Sequence, residues 1–182
     1  MTHRTVVAIP DPSLVVLVGA AGSGKSTFAA RHFAGDEILS SDAYRAAIAG
    51  DAADQSVSRA AFKALHAALD RRLGAKRLTV VDATNLTAPA RRAVTDRART
   101  AGVPAVAIVL DLPDDVVLAR NAARSDRVVP EDVVRRHLGE VRRLVDAGEL
   151  QREGFATVVT LRDPAAVDAI EITRSSDARR AG

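Results

Sequence analysis

"SLVVLVGAAGSGKSTFAARHF", residues 13–33, is the stretch that decides the fold. It opens with "SLVVLVG" (13–19), a short unbroken apolar run that stops at a glycine. Such a run, without polar alternation, reads as a strand buried on both faces of a parallel sheet. A helix is expected to follow from about Lys25 to Ala34. Between strand and helix, the segment Gly19, Ala20, Ala21, Gly22, Ser23, Gly24, Lys25, Ser26, Thr27 contains G-x-x-x-x-G-K-[ST]. Glycines let the backbone curl so that successive N–H groups point inward at phosphate oxygens. The following helix aims its positive end at the same place. Lys25 would reach the β- and γ-phosphates, and the Ser26 hydroxyl would ligate Mg²⁺. The alternative, a Gly-rich turn that only caps a helix, does not account for strand, complete motif and helix arriving together.

Outward from this loop, apolar runs alternate with helical patterns. "DEILSSD" (36–42) reads as a second strand, followed by a short helix over 43–49 and a loop, "GDAADQ". From Ser56 to Leu73 the residues Val57, Ala61, Leu65, Leu69 and Leu73 recur every fourth position, an amphipathic helix that Gly74 ends. "RLTVVDATN" (77–85) is a third strand, and a helix is expected over 89–101 with Pro89 in its first turn. "VPAVAIVLDLP" (103–113) is a fourth strand, and helices over 114–125 and 131–147 flank "SDRVVP". "FATVVTL" (155–161) is a fifth strand, and "DPAAVDAIEIT" (163–173) a turn of helix with a weak edge strand. The expected fold is an α/β P-loop NTPase of the adenylate-kinase-like type. It is one domain over residues 1–174, with a mostly parallel five-stranded sheet and helices on both faces. The strand "SLVVLVG" should be central with "VVDATN" beside it, and residues 175–182 should be a disordered basic tail.

Composition narrows the class further. A chain of 182 residues, 47% hydrophobic and 27% charged, is long enough to bury a substantial core. It has no cysteine, which excludes disulfides, thiolate metal sites and a Cys nucleophile. No apolar run reaches membrane-span length, and Asp11 with two prolines interrupts any signal-peptide core in "MTHRTVVAIPDPS". A cytoplasmic location is the expectation. The net charge of +3 does not by itself argue for nucleic acid. Basic charge is nearly all arginine, yet position 25 is lysine.

A switching GTPase needs D-x-x-G and N-K-x-D, and neither string occurs. A small kinase remains, and it must present an acceptor hydroxyl in line with the γ-phosphate. Strand ends beside the phosphate loop are the natural place. The second strand ends in "SSDAYR", so Asp42 would face the site with Arg45 one helical turn on. An ionised aspartate, ordinary pKa about 3.9, accepts a hydrogen bond and aligns the nucleophile. The Arg45 fork suits an anionic acceptor. On spacing alone, Ser41 or Asp42 merely capping the helix, with Arg45 solvated, is an equal alternative. Asp82 ends "LTVVD" in the position expected to hold Mg²⁺ through water, with capping of the following loop the alternative, and Asp111 at the end of the fourth strand is its rival. Arg120 and Arg124, with Arg127 three further on, would share a helix face, and two or three of these guanidiniums would neutralise charge on a triphosphate; a solvated basic face, the commoner fate of an Arg run, is the alternative. The pairs at 91–92, 135–136 and 142–143 read as surface, and His32, His66 and His137 as packing or surface.

Taken in order, "SLVVLVGAAGSGKSTFA", "LSSDAYR", "LTVVDATN", "AIVLDLP", "RNAARSDR" and "LQREGF" resemble the kinase module of the bacterial polynucleotide kinase-phosphatase family of RNA end repair. The likeness runs from about Ile9 to Arg174, and the Asp-x-x-Arg pair is also similar to that of phage polynucleotide kinase. The resemblance implies ATP-dependent transfer, with Mg²⁺, of the γ-phosphate to the 5′-OH end of RNA or DNA. By the same resemblance, Lys25 and Ser26 hold the triphosphate and Mg²⁺, Asp42 engages the 5′-OH, Arg45 takes the acceptor's phosphate, and Arg120 and Arg124 clamp the donor. In that family a phosphatase and a ligase-like domain follow. Here the expectation is a stand-alone kinase or an excised domain, working with separate phosphatase or ligase proteins, or a kinase whose acceptor has changed. A kinase for a small hydroxylated metabolite (sugar, nucleoside or antibiotic) is the second reading. A non-catalytic NTP-binding regulatory module is the third.

Overall fold

The structure is a computed structural model, and it describes residues 5–50, 57–125 and 127–176. Most of the loop expected at "GDAADQ" and the tail from 177 onward lie outside the described residues. Five strands form one sheet: β2 (Leu14–Gly19), β3 (Ile38–Ser40), β4 (Thr79–Asp82), β5 (Ala105–Leu110) and β6 (Thr157–Leu161). Their order is β3-β4-β2-β5-β6, and every pairing is parallel. The phosphate-loop strand is therefore central, with β4 on one side and β5 on the other, as its apolar run requires.

Both faces of β2 are covered, and its alternate residues feed two cores. Leu14, Val16 and Val18 join Leu65, Leu69, Leu73, Val94, Val141 and Leu144 on one face. Those partners come from α3 (Ser58–Gly74), α4 (Ala88–Thr100) and α6 (Glu131–Asp146). Val15 and Leu17 join Phe28 and Phe33 of α1 (Lys25–His32) and its exit on the other. Each fully buried Val or Leu contributes about 1.5–3 kcal/mol relative to exposure. The sheet is thus held from both sides with its carboxyl edge in register, which is what a phosphate site needs.

Several elements depart from the sequence expectation. A first strand, β1 (Val6–Pro10), precedes the phosphate-loop strand and pairs in parallel with β7 (Glu171–Ser175) as a separate two-stranded sheet. Ser175 therefore belongs to a strand and not to a tail. α2 starts earlier than expected, spanning Ser41–Ala49, because Ser40 caps it. α5 is shorter, Asp114–Ala122, and a four-residue helix, α7 (Glu149–Arg152), follows α6. α8 (Pro164–Ala169) supplies the expected turn of helix, capped by the Asp163 carboxylate on the Ala166 N–H. Among the described residues no helix is long and apolar enough to cross a membrane.

Candidate active site

The phosphate loop curls as its glycines allow. Gly22 and Gly24 adopt φ of 81° and 93°, which side-chain-bearing residues rarely take. Gly22 also lies against α5, where an added Cβ would come within 2.9 Å of Asn121 Cβ and of the Val117 carbonyl oxygen. The buried Lys25 ammonium turns back on the loop, donating to the carbonyls of Ala20 (2.7 Å) and Gly19 (3.0 Å). Burial pulls its pKa down to about 8, with nearby Asp82 opposing and Arg124 adding to the shift. Ser26 Oγ donates to Asp82 Oδ2 at 2.7 Å. A hydroxyl and a carboxylate, both hard oxygen donors, are therefore paired at the head of α1, and this set fits Mg²⁺. Asp111 does not join them: it lies at the other side of β5's end, 3.6 Å from the Arg162 guanidinium, with burial raising its pKa.

The loop after β4 is tied to β2 by one backbone and one side-chain hydrogen bond. The Gly19 N–H donates to the Thr84 carbonyl at 3.1 Å, and Asn85 Nδ2 donates to the Leu17 carbonyl at 2.7 Å. Asn85 sits at φ 50°, in the left-handed region that Asn tolerates. Behind it, Arg91 corrects the surface reading of its Arg pair, since it is 0% exposed. Its guanidinium donates to the carbonyls of Leu86 (2.7 Å) and Asn85 (3.1 Å). It also grips Glu153 in a two-toothed pair at 2.6 and 2.7 Å and reaches Glu149 at 3.2 Å. The pairing fixes α4 to α7 and satisfies a charge that could not otherwise be buried.

Opposite the phosphate loop stands α2. Ser40, not Ser41 or Asp42, is its cap, accepting from the Ala43 N–H at 3.4 Å. Asp42 is thereby left for other contacts. Its Oδ1 is ion-paired both with Arg45 on the same helix and with Arg127 at 3.1 Å from the segment between α5 and α6. The Arg45 side chain is 7% exposed. Burial, and then the neighbouring Arg127, lower its pKa.

The α5–α6 segment brings the arginines. Asn121 holds it closed, donating to the Val129 carbonyl at 2.7 Å and accepting from the Val129 N–H at 3.1 Å. Arg120 stands over the phosphate loop, with one guanidinium nitrogen 3.5 Å from where a Gly24 Cβ would be. Arg124 is not on the helix face expected for it, because α5 ends at Ala122. Its charge nevertheless reaches Lys25.

One cavity of about 880 Å³ is lined by Lys25, Ser26, Asp42, Arg45, Asp82, Arg120 and Arg124, so every side chain expected to do chemistry meets there. Ala21, Gly22, Gly24 and Thr27 also face it, whereas Gly19, Ala20 and Ser23 support the loop from behind. Sequence reasoning left the part played by Arg127 open and missed the cavity-lining role of His137, Thr84 and the apolar wall Val129, Pro130, Val133. His137 is pushed below its ordinary pKa, first by burial and then by the cations Lys25, Arg136 and Arg127. The string "SDRVVP" carried the only signal: a lone arginine before a helix-starting proline.

The family model of an AAA domain, AAA_33, matches residues 14–147. Among solved structures, the chain is similar to the Pnkp1/Rnl/Hen1 RNA repair complex (TM-score 0.62, 15% identity, 94% of this chain and 82% of that one). It is similar to AvrRxo1-ORF1:-ORF2 with ATP (TM-score 0.65, 19% identity, 78% of this chain and 51% of that one). It is also similar to shikimate kinase from Acinetobacter baumannii in complex with shikimate (TM-score 0.51, 22% identity, 86% of this chain and 88% of that one). A search of curated protein sequences found no match.

Proposed function

The chain belongs to the AAA_33 family of AAA domains, and from that premise we propose that it is an ATP-dependent 5′-hydroxyl polynucleotide kinase. The observation that carries the reading is Asp42, held between the guanidiniums of Arg45 and Arg127 on the wall facing the phosphate loop. A bare nucleotide sensor has no use for a carboxylate there. ATP with Mg²⁺ would supply the γ-phosphoryl group and a neutralising cation, held by the loop N–H groups, Lys25, Ser26 and Asp82.

The chain's own residues then divide the work. Asp42 accepts the hydrogen bond of the acceptor hydroxyl and aims its oxygen at phosphorus. The new O–P bond forms as the bond to the β-phosphate bridging oxygen breaks, and the hydroxyl proton passes to Asp42 and on to solvent. Arg120 and Arg124 neutralise charge on the transferring and leaving oxygens, as arginine fingers do. Arg45 and Arg127 offer the donors that a phosphate flanking the acceptor hydroxyl needs. Likeness to an RNA repair complex supports this acceptor.

Phosphorylation of a small hydroxylated metabolite is the second reading. It is favoured by the likeness to shikimate kinase and by the apolar wall of Val129, Pro130 and Val133, which would suit a compact acceptor. The two separate in one experiment: γ-labelled ATP with 5′-OH oligonucleotides of RNA and DNA beside a panel of sugars, nucleosides and other small alcohols. Label on an oligonucleotide is the expected result. Label on a small alcohol alone would overturn the polynucleotide reading.

A further inference from the structure

A second groove opens beside the active-site cavity. Its volume is about 490 Å³, and it is lined by one face of α3 together with Arg97 of α4. Phe62 lines both spaces, so they meet across its ring. On the groove side α3 presents Arg59, Lys63 and His66, at spacings of four and three that put them on one helix face with Phe62. Arg59 and Lys63 are exposed, and among the described residues neither enters an ion pair. The far end is closed electrostatically, since Arg97 pairs with Asp70 at 3.1 Å.

We propose that this groove is the path of the acceptor strand beyond its reacting end: a single-stranded nucleic acid crosses Phe62 and lays its backbone phosphates along Arg59 and Lys63. The proposal rests on the polynucleotide reading above and extends it to where the rest of the polymer lies. Three features carry it. The groove shares Phe62 with the cavity whose wall bears Asp42 and Arg45. Its cations are uncommitted within the described structure and suit phosphates. Its half-buried aromatic ring lies between the two spaces, beside His66 with ring centroids 6.2 Å apart, and gives a base a face to stack on. From residue 59 to 66 the helix rises about 10 Å. At about 3.4 Å per stacked nucleotide that spans roughly three nucleotides. A small-metabolite acceptor would leave this groove unused.

The test compares 5′-OH oligonucleotides of two and twelve residues with the wild-type chain and with the double variant Arg59→Glu/Lys63→Glu, whose sites are exposed. The expected wild-type KM is at least about tenfold lower for the twelve-mer than for the dinucleotide. In the variant that advantage should disappear while kcat at saturation is retained. The slope of log(kcat/KM) against log salt for the twelve-mer should flatten by about 1.4, at about 0.7 per lost phosphate contact on a single strand. If the wild type shows no length advantage, or the variant keeps it with an unchanged slope, the groove assignment falls and the kinase reading stands. If neither oligonucleotide is phosphorylated at all, the polynucleotide reading falls and takes the groove with it.

Discussion

The phosphate loop and the Asp42 cluster face each other across one cavity, yet one is made of backbone and the other of long side chains. On the donor wall, Gly22 and Gly24 take conformations other residues avoid, and Gly22 is seated directly on α5. Lys25 and Ser26 are satisfied by groups of the wall itself. On the acceptor wall, one carboxylate is shared by Arg45 from its own helix and Arg127 from a distant segment. Backbone-built sites hold one shape and one ligand class. Side-chain-built sites change with a few substitutions, which is how one fold comes to host different sites.

Removing one key group from each wall sharpens the contrast most. Lys25→Ala should lower transfer by about 10³-fold or more, since it strips a preorganised cation from the developing charge. Asp42→Ala should cost about 10²–10⁴-fold in kcat through lost alignment and proton acceptance. Nucleotide affinity by calorimetry separates them: it should drop in the first variant and stay in the second. Wild-type-like phosphorylation by Asp42→Ala would remove the acceptor wall from the mechanism.

The frame beneath the donor wall is tested through stability. Arg91→Ala strips the partner from Glu149 and Glu153 and leaves the Asn85 and Leu86 carbonyls without their donor. Breaking such a buried pair costs about 3–5 kcal/mol, or roughly 6–20 °C in melting temperature for a chain of this size. An unchanged melt would mean that Asn85 and the Gly19–Thr84 hydrogen bond hold the loop after β4 without Arg91.

The smallest effect is a pH dependence confined to the donor wall. Lys25 must be charged to meet a triphosphate, and in the empty site its pKa is lowered to about 8. Below that pH it is protonated before nucleotide arrives. Above it, binding has to take up a proton, so affinity should fall by up to about tenfold per pH unit. Calorimetry in two buffers of different ionisation enthalpy should show no uptake by Lys25 at pH 7 and uptake at pH 9. Equal uptake at both would show that burial does not depress this lysine.

The legible part of the molecule was the part written locally. Strand, glycines, lysine and helix of the phosphate loop are contiguous, so one stretch of sequence specifies this part of the fold. Asp82 and Asp42 were legible because each ends or follows a strand whose carboxyl edge the topology brings to the loop. Arg91 was not, because an Arg pair on a helix looks the same whether its partners are water or, as here, Glu149 and Glu153 some sixty positions away. The pairing of Arg127 is not legible in the run of arginines, since its partner Asp42 lies 85 positions off. β1 was missed since its pairing partner, β7, begins at Glu171, and no local pattern announces so distant a match.

The clasp between the Asn121 amide and the Val129 backbone has a mechanical consequence. It pins the end of α5 to the approach of α6, and the α5 end bears on Gly22. Arg124 and Arg127 lie between the two ends of this clasp and Arg120 just before it, so the placing of all three cations is referred back to the loop on which α5 rests. The phosphate loop is thus the footing from which these cations are held.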